Sequence, residues 1–176
     1  MPIDLLGGIM KKPTLVAMAV LLSTVWAGPS EAQSASTAPI AGQWTYRSYV
    51  NSADLVNNNA SKALSLIFGE GTMTFTSPTP DSLKGTLDLG GGYVLDITGT
   101  VQPGQLPGRY GISAVGLGRA GTPTAGWEYD YRADLAYPWP NGVGQVPALV
   151  GSVLRAKAHD GGQAGYVASF IAVRHQ

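Results

Sequence analysis

From Trp127 to Leu135 the chain alternates without a break. Trp127, Tyr129, Tyr131, Ala133 and Leu135 fall on one side of an extended backbone, and Glu128, Asp130, Arg132 and Asp134 on the other. A helix would scatter these residues around its circumference, whereas a strand with period-two side chains sorts them into an apolar and an ionised face. The pattern recurs. Leu83, Gly85, Leu87 and Leu89 oppose Lys84, Thr86 and Asp88, while Tyr93, Leu95, Ile97 and Gly99 oppose Val94, Asp96, Thr98 and Thr100. One buried and one solvated face is the pattern of antiparallel strands that cover a core on one side.

Nine β-type runs follow one another: Gln43–Asn51, Ala63–Phe68, Thr72–Ser77, Leu83–Leu89, Tyr93–Val101, Arg109–Leu117, Trp127–Leu135, Ala148–His159 and Tyr166–Arg174. The segments between them, such as Ser77–Ser82, Gly90–Gly92 and Asp160–Ala164, are rich in residues that tolerate turn dihedrals. Ala63–Phe68 and Thr72–Ser77 read either as two strands or as one strand bulged at Gly69-Glu70-Gly71. Asn51–Ser61 has room for one helical turn, and Asn57-Asn58-Asn59 argues against a long helix. The expected fold is all-β, an antiparallel eight- (or nine-) stranded up-and-down barrel, because regular strand spacing favours such folds and closure removes edge strands.

The N-terminus carries a different signal. Lys11 and Lys12 precede the apolar run Leu15–Ala27, and Ser30 and Ala32 stand at the −3 and −1 spacing of a signal-peptidase site. The run is shorter than the roughly 20 apolar residues a membrane span needs. Residues 1–32 are therefore expected to be a Sec-type signal peptide with its start at Met10 and cleavage after Ala32. Val25-Trp26-Ala27 is a second cleavage motif without a polar exit region. Residues 33–40 form a small, polar, flexible lead, and residues 41–176 a single barrel domain in the periplasm or outside the cell.

Composition narrows the chemistry. There is no cysteine, so disulfides, thiol catalysis and thiolate metal sites are all excluded. Eleven Lys/Arg balance eleven Asp/Glu and are scattered, with no basic stripe to hold a nucleic-acid backbone. No metal-ligand spacing and no cofactor motif is present, and no second apolar run is long enough for a membrane helix. Near-zero net charge and broad β faces permit a homo-oligomer.

A resemblance enters with Gly42-Gln43-Trp44, which opens the first run, and Arg174, which closes the last. This pairing resembles the calycin pattern shared by lipocalins and avidin-like barrels. The resemblance implies that Trp44 plugs one end of the barrel, with the Arg174 cation over its indole. It covers about Ala41–His175 in layout but only Gly42, Trp44 and Arg174 in motif. The central and C-terminal lipocalin motifs are not visible, and no biotin-binding residue of the avidins can be placed by matching.

Two clusters are candidate ligand-binding residues. If the barrel is hollow, Tyr46, Trp127, Tyr129 and Tyr131 line it, rings supplying stacking area and phenols the polar anchors. If it is filled, the same rings are core. Trp139 and Asn141, in the stiff Tyr137-Pro138-Trp139-Pro140-Asn141-Gly142 loop, suit a binding rim or lid, or else a cap on the core. His159 and His175, the two histidines, read as solvated residues at a strand end and at the chain end. Gly-x-Ser-x-Gly is absent, and Gly116-Leu117-Gly118-Arg119-Ala120-Gly121 lacks the helix that a dinucleotide fingerprint needs. No catalytic residue is assigned.

The function expected is that of an exported soluble barrel that binds a small, mainly apolar molecule. A non-catalytic envelope module with a filled core is the alternative. A cavity-shaping cyclase or isomerase, working through a buried acid or base, is a third reading. An outer-membrane barrel is a fourth, since alternation alone does not say which face is outside.

Overall fold

The computed structural model describes residues 40–76, 79–104 and 109–176. The expected signal peptide and, apart from Ile40, the expected flexible lead lie outside the described residues. Eight strands run in chain order: β1 (Gly42–Val50), β2 (Ile67–Thr76), β3 (Ser82–Asp88), β4 (Val94–Pro103), β5 (Tyr110–Gly118), β6 (Glu128–Leu135), β7 (Ala148–Arg155) and β8 (Val167–Arg174). Each pairs antiparallel with its sequence neighbours, and β8 returns to β1, with Trp44 opposite Arg174 and Tyr46 opposite Ala172. The result is a closed up-and-down barrel with two short helices, α1 (Ala53–Val56) and α2 (Ala60–Ser65), between β1 and β2.

Three sequence expectations need correction. The run Ala63–Phe68 is not a strand at its start, because Asn59 caps α2 by accepting a hydrogen bond from the Lys62 amide at 2.9 Å. Asn57 and Asn58 fit the turn before it with φ of 47° and 56°. The Asn-rich stretch therefore joins two short helices. The second correction concerns the irregularity in β2, which falls at Phe68 rather than at Gly69-Glu70-Gly71: Ser48 pairs with Gly69 but Tyr49 with Ile67. Such a bulge re-aims a side chain. The third is that β7 stops at Arg155, so His159 belongs to the following loop.

Alternation decides what fills the barrel. Leu83, Leu87, Leu95, Ile97, Tyr129, Tyr131, Ala133 and Leu135 are buried as expected, whereas Tyr93, just before β4, is 40% exposed. Arg47, Glu70, Lys84, Arg132 and Asp134 face out. Apolar residues inside and ionised residues outside reverse the arrangement of an outer-membrane barrel. Among the described residues no helix is long and apolar enough to cross a membrane.

The two ends differ. At the end where β1 starts and β8 finishes, Trp44 is fully buried and its Nε1 donates to the Ile40 carbonyl at 2.9 Å. Ile40, expected in the flexible lead, is itself buried. The Arg174 guanidinium carbon lies 5.9 Å from the Trp44 ring centroid. Gly42 (φ +123°) precedes them, and a side chain there would meet Arg174 Nε at 3.4 Å. Gly42, Trp44 and Arg174 thus stand together at one end. Above them Tyr46, Tyr131 and Phe170 form a layer with ring centroids 5.3–6.4 Å apart.

Candidate functional site

Beyond that aromatic layer the barrel is hollow. A cavity of about 220 Å³ opens at the end opposite Trp44, walled by Tyr46, Leu87, Leu95, Trp127, Tyr129 and Tyr131, with Phe68, Arg155 and His159 around its mouth. Local chain rules create the space. Gly116 faces inward, where a Cβ would come within 2.9 Å of the Tyr131 ring and 3.0 Å of Ile97 Cδ1. The bulge in β2 brings Phe68 to the rim, where its ring lies 6.2 Å from that of Tyr129 and stacks with Tyr166 at 5.5 Å. Ser48, fully buried, donates to the Gly69 carbonyl at 3.0 Å on the same wall.

Trp127 is held by the β5–β6 connection. The buried Thr124 hydroxyl donates to the Val94 carbonyl at 2.5 Å, and its own carbonyl accepts from the Trp127 amide at 2.9 Å. The β7–β8 loop crosses over the mouth from the other side. His159 and Gly162 exchange two backbone hydrogen bonds around Asp160 (φ 48°) and Gly161 (φ 74°). Two positive φ values across an Asp-Gly pair make a tight type I′ hairpin turn. That turn folds the imidazole inward. His159 is 9% exposed in its side chain, stacks on Trp127 with centroids 4.0 Å apart, and meets the Tyr129 hydroxyl with Nε2 at 2.7 Å.

His159 was expected to be solvated, and the structure corrects this. Asp160 Oδ2 lies 3.8 Å from its Nδ1, and a carboxylate on that side favours the tautomer with the proton on Nδ1. Nε2 then accepts from the Tyr129 hydroxyl. Burial lowers the His159 pKa, with the Arg155 charge adding to it and Asp160 opposing. Burial also raises the Tyr129 pKa against the lowering effect of Arg155. Both groups are therefore neutral near pH 7. Deeper in, burial pushes Tyr131 well up, and Tyr46 likewise, its rise moderated by Ser48.

Arg155 completes the mouth. Its guanidinium carbon stands 5.3 Å above the Phe68 ring. It fits where Gly162 has no side chain: a Cβ there would lie 1.6 Å from Arg155 Nη1. The site therefore offers flat apolar walls, a phenol–imidazole pair able to pass a proton, and one permanent cation. Among the described residues no group of three His, Asp or Glu side chains is arranged to hold a metal ion.

The six sequence candidates divide. Tyr46, Trp127, Tyr129 and Tyr131 line the cavity. Trp139 and Asn141 sit in the β6–β7 connection at the end that holds Trp44, and line no part of it. There Trp139 is 69% exposed, its ring edge-on to Tyr137 at 5.2 Å and its amide bonded to Gln145 Oε1 at 2.7 Å. Sequence reasoning missed Phe68, Arg155 and His159. The Asp160-Gly161 pair was the available signal for a hairpin that returns His159 to the barrel, since Asp-Gly between apolar runs marks such turns. A larger depression of about 530 Å³ lies on the outer wall between Gln102, Ser113, Arg132 and Asp134. It is broad and holds no aromatic ring, so the inner cavity is the better candidate. No protein-family model, curated protein or solved structure matches the chain.

Proposed function

We propose that the protein is an exported, calycin-like carrier that holds one small, mainly apolar molecule at the open end of its barrel. One observation carries this reading: an aromatic-walled cavity of about 220 Å³ opposite the Trp44 end. A barrel of eight strands either fills with side chains or leaves room for one small ligand, and this one fills only part of its length. The volume is below the roughly 300–1,000 Å³ of drug-sized sites, so the occupant is smaller than a drug. The Gly42, Trp44 and Arg174 arrangement supports the calycin-like reading, and the signal-like residues 1–32 support export. The cavity also weighs against a module with a filled core.

A second reading has its own support. The 2.7 Å contact between Tyr129 and His159 is the geometry of a general base, in which the phenol oxygen takes a proton from a bound compound as its own proton passes to His159 Nε2. A barrel enzyme moving a proton on a bound carbonyl compound would use this pair.

The test is a native mass spectrum of protein recovered from the periplasm of a bacterium expressing the full chain. A chain beginning at Gln33 with a bound small molecule supports the carrier. Protein recovered without bound mass, unable to take up small aromatic probes, would overturn it.

A further inference from the structure

Two residues of the cavity wall carry a side-chain nitrogen that the fold does not hydrogen-bond. Arg155 Nε and His159 Nδ1 are buried, and neither makes a hydrogen bond. Buried polar groups in folded proteins almost always have partners, so such orphans call for an explanation. Both are donors: the guanidinium in every relevant protonation state, and Nδ1 in the tautomer that Asp160 favours. The surrounding surface offers rings and aliphatic side chains, apart from the phenols, the Asp160 carboxylate at the rim and the Ser48 hydroxyl, which already donates to Gly69.

The local charge points the same way. Three cations of the barrel have carboxylate partners: Arg47 with Glu70, Arg119 with Asp96 and Lys157 with Glu128. Among the described residues no carboxylate lies within ion-pair distance of Arg155, and Asp160 reaches only the imidazole, from the rim. Arg155 is placed with care all the same. The bare Gly162 leaves space for its guanidinium, and Phe68 supports it from below. A planar donor group with no carboxylate partner, above aromatic walls, matches a carboxylate better than a phosphate, because Asp160 at the rim repels a dianion more strongly than a monoanion and the cavity is small.

We propose that the occupant is a small planar monocarboxylate, aromatic or conjugated, with its carboxylate held by the Arg155 guanidinium and its flat apolar part between the rings of Trp127, Tyr129 and Phe68. This rests on the reading of the cavity as a ligand site and adds the charge of the ligand. A neutral carbonyl compound of the same shape would also meet the donors but would gain less from the guanidinium, since charge-assisted hydrogen bonds are about twice as strong as neutral ones.

The experiment titrates the purified protein with cinnamate and, separately, with cinnamamide, its uncharged isostere, following the Trp127 indole N–H by NMR. Cinnamate should bind at least about tenfold more tightly. Arg155→Gln should weaken cinnamate far more than cinnamamide and so remove that preference. Gly162→Ala keeps the charge but forces the guanidinium out of its place, and should remove the preference too. Equal affinities in the unmodified protein would overturn the proposal and leave the carrier reading standing. So would a cinnamate preference that survives both substitutions. If neither probe moves the Trp127 signal and native mass spectra show bare protein, the carrier reading falls and takes this proposal with it.

Discussion

The Tyr129 hydroxyl and His159 Nε2, 30 residues apart in the chain, meet at 2.7 Å across the mouth of the barrel. The phenol is fixed by β6, whose alternation points Tyr129 inward, and the imidazole by the Asp160-Gly161 turn. Each satisfies the other, so their losses should not add. Tyr129→Phe leaves a buried imidazole nitrogen without its donor and should cost about 1–3 kcal/mol. His159→Phe, keeping a ring on Trp127, takes the acceptor from the phenol, whose oxygen keeps its interaction with Arg155. Urea denaturation of both single variants and the double variant should give a coupling of about 0.5–3 kcal/mol. Strict additivity would mean that the contact is not formed in solution.

The lowered pKa of His159 makes stability depend on pH. In the unfolded chain this imidazole takes a proton near its ordinary value of about 6.5, but in the fold it does so only at a lower pH. Between those two values the unfolded state binds more protons, so stability rises with pH. The contribution is fully present above about pH 6.5 and is lost as pH falls towards the folded value. Asp96, lowered chiefly by its hydrogen bond with Arg119, acts in the same direction but only in more acid solution, and weakly because the pair is exposed. Melting temperature should therefore drop between about pH 7 and pH 5, and His159→Phe should flatten the drop. NMR titration of the imidazole above about 6.5 would contradict this.

How far the sequence could be read followed from how local each signal is. Period-two alternation in β3, β4 and β6 identifies strands and their buried faces without knowledge of any partner, and Tyr46, Trp127, Tyr129 and Tyr131 line the cavity as that pattern implies. Trp44 and Arg174 are adjacent because the barrel closes, which strand count and spacing suggested. The other half of the site depends on loops. Phe68 enters through a bulge that register alone reveals, Arg155 through a glycine seven residues away, and His159 through a hairpin within the last long connection. Trp139 illustrates the opposite error: a Pro-flanked aromatic loop marks a stiff end of a barrel but does not say which end.

The Trp44 end should be the stability anchor of the barrel, with no part in binding. Trp44 is fully buried, donates to Ile40 and lies under Arg174. Trp44→Ala should cost about 3–5 kcal/mol through the cavity it leaves. Arg174→Gln should cost about 0.5–2 kcal/mol, since it removes the cation–π term but keeps much of the packing. Thermal denaturation would measure both. Neither the affinity for a probe that binds in the cavity nor the Trp127 environment should change in Arg174→Gln. A parallel loss of binding would show that the two ends are coupled.

Gly116 tests whether the hollow end is set by packing. The residue is buried in β5 opposite Tyr129 and Ile97, with an ordinary strand backbone that alanine can adopt. Only space forbids a side chain, because the new Cβ would stand 2.9 Å from the Tyr131 ring and 3.0 Å from Ile97 Cδ1. Gly116→Ala should therefore push the Tyr131 ring, which is packed against Tyr46 and Phe170 and has little room to retreat. Overpacking of this kind costs about 1–3 kcal/mol. Any ring movement should be towards the cavity, the one direction not already close-packed. The variant should melt earlier and bind small aromatic probes less well, with crystallography reporting a smaller cavity. Unchanged stability and unchanged binding would mean that the barrel wall yields at this point, and that Gly116 is not what keeps the space open.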